Sequence, residues 1–321
     1  MADTRRPVRA KLIFNATAGQ PEESPAQLAS ILSEMKSRGI WPEVYVVRPN
    51  SRVGAVVQNA IKRGTKLIVV AGGDGTIDSV VGAMAGSSAT LGIIPTGTRN
   101  NTALSLNIPN SIADAVALLR EGRRLKMDVG HVRSGRGSAW FLEAATLGLL
   151  SDLYPVADDV QHGDLTRIGQ LLGTFISSTA SQVRLVPDGR GRVDTMAHMI
   201  LIANTPYFGP HFQVAPEVSC DDGLLDVLVY SDMSQVDLIF YMGQSIGGAA
   251  AEDSRVKHYR VQQVTIHSDP AMLVLADGVL LGQGPVTATV RPRALTVMAG
   301  ASVGAEHVAS PAIDGKGVSD E

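Results

Sequence analysis

Two glycine-rich turns, each entered from a short apolar run, constrain this chain more than anything else in it. From Lys66 the sequence reads KLIVVA, then Gly72-Gly73-Asp74-Gly75-Thr76; a helical stretch and a second apolar run lead to Pro95-Thr96-Gly97-Thr98-Arg99-Asn100. Short apolar runs bounded by glycine turns and followed by helical patterns read as parallel strands buried on both faces. Where such a strand hands over to a helix, the N–H groups of the turn and of the first helical turn lack partners and point outward, which suits phosphate. Glycine lets that backbone come close to a ligand. The turn is neither GxxxxGK[ST] nor GxGxxG, since no lysine follows it and the spacing differs. Asp74 is the odd member: a carboxylate among anion-binding amides repels phosphate unless a divalent cation or ordered water stands between them. A metal-nucleotide is the ligand this implies. The alternative is a tight turn in which Asp74 caps the helix at Thr76 or Ile77, and the second turn weakens that alternative.

The flanking chain repeats one scheme. Residues 9–14 read as a strand ending at Asn15-Ala16-Thr17-Ala18-Gly19, and Ser24-Pro25-Ala26-Gln27 reads as a capping box opening a helix with Leu28, Ile31, Leu32 and Met35 on one face. A strand near 43–47, a helix from Ser51 with Val53, Val56, Val57 and Ala60 inward, and a strand at 66–71 follow. Strands alternating with amphipathic helices predict an α/β N-terminal domain, a parallel sheet with helices on both faces. Asn15 and both glycine turns fall at strand carboxyl ends, where ligands of such sheets gather. After a helix at 111–120 the texture changes at 122–130 to alternating residues, with a hairpin ending in Ala139 to Ala145. Strand-like runs at 196–203, 212–215, 224–230, 259–267, 271–276, 286–291 and 294–298, and helices near 165–181 and 234–247, predict a mainly antiparallel β-rich second domain. The expected division is residues 1–128, a nucleotide-binding domain to which a last strand at about 290–300 returns, and residues 129–289, a substrate domain. Residues 301–321 are small, polar and aperiodic, the texture of a disordered tail.

Composition bounds the functions available. A net charge of −3 exerts no general pull on nucleic acid, so no nucleic-acid partner is expected. Cys220 is the only cysteine, which precludes an intrachain disulfide and suits a small buried hydrophobe. The first residues lack a secretory pattern and no run reaches membrane-spanning length, being broken at Glu143, Asp152 or Asn204. A cytoplasmic protein with peripheral membrane contact is the expectation. The seven histidines show no metal-ligand spacing, and Trp41 and Trp140, within apolar runs, are expected in the core.

GGDGT followed by PTGTRN resembles the diacylglycerol kinase catalytic domain family, the ATP-dependent lipid kinases that include sphingosine and ceramide kinases. NAD kinases and 6-phosphofructokinases share the first turn. The resemblance extends to Ala203-Asn204-Thr205-Pro206-Tyr207-Phe208-Gly209, Ala215-Pro216 and Asp221-Asp222-Gly223-Leu224-Leu225-Asp226-Val227, which those two families lack. It implies ATP and Mg²⁺ as cofactors and a lipid alcohol as substrate. Asn15, Gly19, Gly72, Gly73, Asp74, Gly75, Thr76, Gly97, Thr98 and Asn100 would contact nucleotide, and Asp74 and Asp277 would be the catalytic carboxylates. It also implies a structural Mg²⁺ on Ser219, Asp222 and Leu224; a polar turn is the bland reading of that loop. Asp277-Gly278 reads equally well as a type I′ hairpin turn or as a proton acceptor at a strand end. This chain departs from the family at Ala16 for proline, Asp78-Ser79 for Asn-Glu, Asn101 for aspartate, Glu143 for asparagine and Val279 for glutamate. A degenerate member that binds nucleotide or lipid without catalysis, and an NAD-type kinase, are the rival readings. A homodimer through an exposed sheet edge is compatible with the pattern.

Overall fold

The structure, a computed structural model, describes residues 7–301 apart from 136, 154–178, 210, 216 and 246–252. The helix expected near 165–181 lies outside the described residues except at its end, and the tail lies outside them beyond Ala301.

The first half follows the predicted alternation: β1 (Val8–Phe14), α1 (Ser24–Ser37), β2 (Ile40–Val46), α2 (Val53–Lys62), β3 (Leu67–Gly72), α3 (Asp74–Met84), β4 (Thr90–Pro95), a short α4 (Asn101–Ser105) and α5 (Ile112–Glu121). The four strands are parallel in the order β4–β3–β1–β2. Every residue of β3 and β4 is buried, as continuous apolar strands in a doubly covered sheet must be. Helix α2 packs beside α3 and α1 beside α5. Ser111 caps α5 by accepting the Asp114 N–H at 3.4 Å. The capping box at Ser24 does not form. A 3₁₀ turn at Pro21–Glu23 precedes α1, and the Ser24 hydroxyl instead donates to the Ala16 carbonyl at 2.5 Å, tying the helix start to the loop after β1.

The second half is antiparallel: β5 (Arg123–Ser134), β6 (Gly137–Phe141), β7 (Ala144–Gly148), β8 (Ser181–Pro187), β9 (Val193–Ala203), β10 (Tyr207–Phe208), β11 (Phe212–Gln213), β12 (Leu225–Ser231), α6 (Gln235–Ser245), β13 (Val256–Val261), β14 (Gln263–Asp269), β15 (Leu273–Ala276), β16 (Val279–Gln283) and β17 (Val286–Ala299). Three expectations change here. Residues 259–267 contain the junction of two strands, β13 and β14; the runs at 286–291 and 294–298 are one strand; and the segment from Ala139 to Ala145 breaks at Leu142-Glu143, between β6 and β7.

Strand β17 joins the halves. Its first residues pair antiparallel with β14, Thr296 and Val297 pair parallel with β4, and its other edge pairs with β5, with a slip between Arg291 and Leu295. Pro292, which has no N–H to give, and Arg293, at φ 54°, occupy that slip. The freed Arg293 N–H donates to Asp128 Oδ1 at 2.6 Å, and Gly223 N–H donates to Asp128 Oδ2 at 2.6 Å. A single 15-stranded sheet results among the described residues. Leu125, Met127, Leu295 and Val297 join the core beneath the parallel strands. Among the described residues no helix is long and apolar enough to cross a membrane.

Candidate active site

The three parallel strands β4, β3 and β1 are neighbours, so the loops leaving their carboxyl ends are neighbours too. Asn15 continues the β1 ladder through its N–H to the Ala71 carbonyl at 2.9 Å, and its Nδ2 donates to Thr76 Oγ1 at 2.9 Å. Its Oδ1 accepts from the N–H and hydroxyl of Thr17. Gly19 adopts φ +65°, and a Cβ there would fall 2.4 Å from the Thr96 carbonyl oxygen, so the loop after β1 rests on the second bend.

The two bends touch. A Cβ on Gly97 would meet Gly73 Cα at 2.4 Å, and one on Gly73 would meet Gly97 Cα at 3.1 Å. Asp74 does not cap its own helix, which begins after Gly73 without a side-chain cap. Its Oδ2 accepts the Asn101 N–H and its Oδ1 the Thr102 N–H, each at 3.1 Å, so the carboxylate of one bend clamps the chain leaving the other. Asn100, in the left-handed region at φ 57°, closes that second bend: Oδ1 accepts Gly97 N–H at 3.1 Å and Nδ2 donates to the Gly97 carbonyl at 2.9 Å. Thr98 and Gly75 are exposed at the tips.

Asp277 faces these bends from the other half. Of the two readings of its sequence, the structure shows the turn. With Gly278 it forms the β15–β16 hairpin, at φ 38° and φ 78°, the signs of a type I′ turn. Its carboxylate also reaches the break between β6 and β7, where Leu142 and Glu143 N–H donate to Oδ2 at 2.5 and 3.1 Å and Ala144 N–H donates to Oδ1 at 2.9 Å. The interruption of the strand at Leu142-Glu143 therefore frees the amides that hold Asp277. Burial pushes this carboxyl up to about 6, against the pull of the Ala144, Leu142 and Glu143 amides and with the charge of Asp74 adding to the rise.

Two further carboxyls share the space, and the resemblance had marked both only as departures. Glu143 is buried; its Oε2 accepts from Asn101 Nδ2 at 3.2 Å and its Oε1 from the Thr102 hydroxyl at 3.3 Å. Burial first, then the charges of Asp74 and Asp277, hold it well above the usual carboxylate range. Burial does the same to Asp78, reinforced by Asp277, Glu143 and Asp74. Asp78 Oδ1 and Asn101 Oδ1 are buried without a hydrogen-bond partner. The segment after β9 completes the enclosure. Asn204 donates to the Leu142 carbonyl at 2.9 Å and the Asp128 carbonyl at 3.2 Å, Asn101 Nδ2 donates to the Gly209 carbonyl at 2.8 Å, and His211 Nε2 donates to the Arg99 carbonyl at 2.7 Å. No spacing in the sequence announces these bridges, which join residues 62 to 112 positions apart.

The Asp222 loop lies elsewhere, against β13. Asp222 Oδ2 accepts from the Arg260 guanidinium and Oδ1 from the Leu224 N–H at 2.9 Å, while the Ser219 hydroxyl donates to Asp221 at 2.7 Å. Both oxygens of Asp222 are engaged by donors, one of them cationic. Among the described residues no group of three or more His, Cys, Asp or Glu side chains is arranged to hold a metal. Cys220 is buried and its thiol is pushed up to about 12, chiefly by burial, as befits an inert small hydrophobe.

Comparison with known proteins agrees with this architecture. Residues 9–132 match the family described as diacylglycerol kinase catalytic domain, and residues 161–299 match the YegS C-terminal NAD kinase beta sandwich-like domain. A diacylglycerol kinase of Bacillus subtilis (strain 168) is 26% identical over 288 residues, covering 86% of this chain and 91% of that protein. One of Mycobacterium tuberculosis (strain ATCC 25618 / H37Rv) is 28% identical over 271 residues, covering 83% and 87%. A crystal structure of a diacylglycerol kinase from Bacillus anthracis str. Sterne superposes with a TM-score of 0.73 at 23% identity, covering 91% of this chain and 96% of that one, a likeness of fold. The match to this family and the names of these relatives indicate a diacylglycerol kinase-like phosphotransferase. Residues 9–132 thus belong to the diacylglycerol kinase catalytic domain family, whose named relatives are lipid kinases.

Proposed function

We propose that the protein transfers the γ-phosphate of ATP to the hydroxyl of a lipid alcohol such as diacylglycerol or a sphingoid lipid. The observation that carries this reading is the contact between the Gly73 and Gly97 bends, locked by Asp74 and facing Asp277. Amides of Gly73 to Gly75 and of Thr98 to Asn100 would hold the polyphosphate, with Asn15 and Gly19 bordering it. Asp277, fixed by three amide donors and held near neutrality, would accept the proton of the attacking hydroxyl as its oxygen bonds to phosphorus and the bond to ADP breaks. A hydrated Mg²⁺ beside the phosphates would be reached by these residues through its waters rather than by a ready-made set of ligands among the described residues. Asp74 and the orphaned oxygens of Asp78 and Asn101 are hard donors of the type it takes. Such an ion would neutralise phosphate charge next to four carboxyl groups. The Ser219, Asp222 and Leu224 set fits an ion poorly, because Arg260 already occupies Asp222.

Transfer of labelled γ-phosphate from ATP to diacylglycerol, ceramide and sphingosine in mixed micelles, with NAD as a further acceptor, tests the reading. Labelled lipid supports it. Labelled NAD would assign the NAD-type reading instead, and ATP binding without labelled product would assign the degenerate one. We place the protein at the cytoplasmic surface of a membrane, where the acceptor resides.

A further inference from the structure

At the amino ends of β1 and β3, away from the glycine bends, the sheet carries an open pocket of about 970 Å³. Parallel register sets Arg9 beside Trp41 and Lys11 beside Glu43 on one face, and Arg63, just past α2, and Lys66, just before β3, stand at its margin. Four cations thus meet one carboxylate in a chain whose net charge is −3. Lys11 is the unusual member, a lysine buried on an inner strand. Its Nζ bonds Glu43 Oε1 at 2.7 Å and lies 5.9 Å from the Tyr45 ring centroid. One carboxylate uses one of the three donor directions of an ammonium. Lys66 Nζ donates to the Ser88 hydroxyl at 3.0 Å, which leaves its charge unopposed. Arg9 and Arg63 are exposed and carry no ion pair among the described residues, although the charge of Arg63 reaches Glu43. Trp41, expected in the core, is 58% exposed beside them. The core expectation fails because β2 is the edge strand of the sheet, which leaves Trp41 open to solvent.

We infer that this pocket is a second anion site, which takes a phosphate group between Arg9, Arg63 and Lys66 with the attached organic portion against the Trp41 ring. Concave walls lined by one sign of charge concentrate counter-ions, guanidinium forks match phosphate oxygens, and an exposed indole supplies an apolar or stacking wall. Lys11 lies four residues before Asn15, roughly 13 Å at 3.3 Å per residue, so a ligand here would leave the glycine bends free. A free phosphorylated small molecule and the headgroup of an anionic phospholipid present the same chemistry.

Tryptophan emission of the full chain distinguishes them, since Trp140 is packed against His131 at 4.6 Å and supplies a steady background. The probes are glycerol 3-phosphate in solution, vesicles of phosphatidylglycerol and vesicles of phosphatidylcholine. A saturable change is expected with at least one phosphoanionic probe and not with phosphatidylcholine. It should be absent in Trp41→Phe and weakened at least tenfold, on the order of one charge-assisted contact, in Arg9→Gln/Arg63→Gln. Response to glycerol 3-phosphate assigns a free ligand; response to phosphatidylglycerol vesicles alone assigns a headgroup. Both substituted side chains are exposed, and an unchanged melting temperature and ATP affinity in the double variant would show that fold and nucleotide site are intact. No response to either phosphoanionic probe, or equal affinity in the double variant, would overturn the inference and leave the kinase reading untouched.

Discussion

The carboxyl of Asp277 stands between opposed influences, burial that favours its neutral form and three amides that favour its charge, and burial prevails. A proton acceptor must be ionised, so kcat is expected to fall as pH drops through about 6. Stability should move the other way. The folded protein holds this proton more tightly than the ordinary value of 3.8 allows, so the contribution is full below that value and is lost as pH rises through about 6. A pH–rate profile without an acid limb in this range would remove Asp277 from the role. Asp277→Asn should lower kcat by at least ~10²-fold, the scale of a general-base contribution. At the Asp222 loop, Arg260 supplies the positive charge that a divalent ion would bring. Chelation is therefore expected to leave the melting temperature unchanged, whereas Asp222→Ala, which strands Arg260 and the Leu224 N–H, should lower it; a chelator-induced drop in a calorimetric scan would restore the ion to Ser219, Asp222 and Leu224.

Among elements, the paired bends make the sharpest demand on side-chain size. A methyl at Gly97 would lie 2.4 Å from Gly73 Cα, one at Gly73 3.1 Å from Gly97 Cα, and one at Gly75 would meet nothing within 4 Å. Gly97→Ala should therefore destabilise by about 1–3 kcal/mol and raise KM for ATP most, Gly73→Ala less, and Gly75→Ala least. Equal effects across the series, read by urea melts and steady-state kinetics, would mean that the bends do not depend on their contact. This part of the site was legible in the sequence, because strand, glycine turn and helix are local signals. The parallel layer was legible for the same reason. The bridges from Asn204, Gly209 and Glu143 were not, since each joins residues whose neighbourhood exists only after the sheet forms. Ser24 shows local chemistry overruled: its capping pattern was genuine, but the loop carbonyl of Ala16 claimed the hydroxyl. Trp41 shows the limit of apolar runs, which cannot tell an edge strand from an inner one.

For the whole molecule, the shared strand decides how the two halves depend on each other. Because β17 pairs with β14 at one end and β4 at the other, and β5 lies along its other edge, each half loses a ladder if that strand is lost. Thermal unfolding is expected as one cooperative transition, with the calorimetric and van't Hoff enthalpies equal; two resolved transitions would show that the halves melt separately. There is also a consequence for biosynthesis. The parallel layer is synthesised before β17, yet Leu125, Met127 and Val129 of β5, which pack into its core, have no ladder partner in that half, and their neighbours in β17 follow more than 150 residues later. The parallel layer therefore waits, its flank unfinished, until β17 has been made.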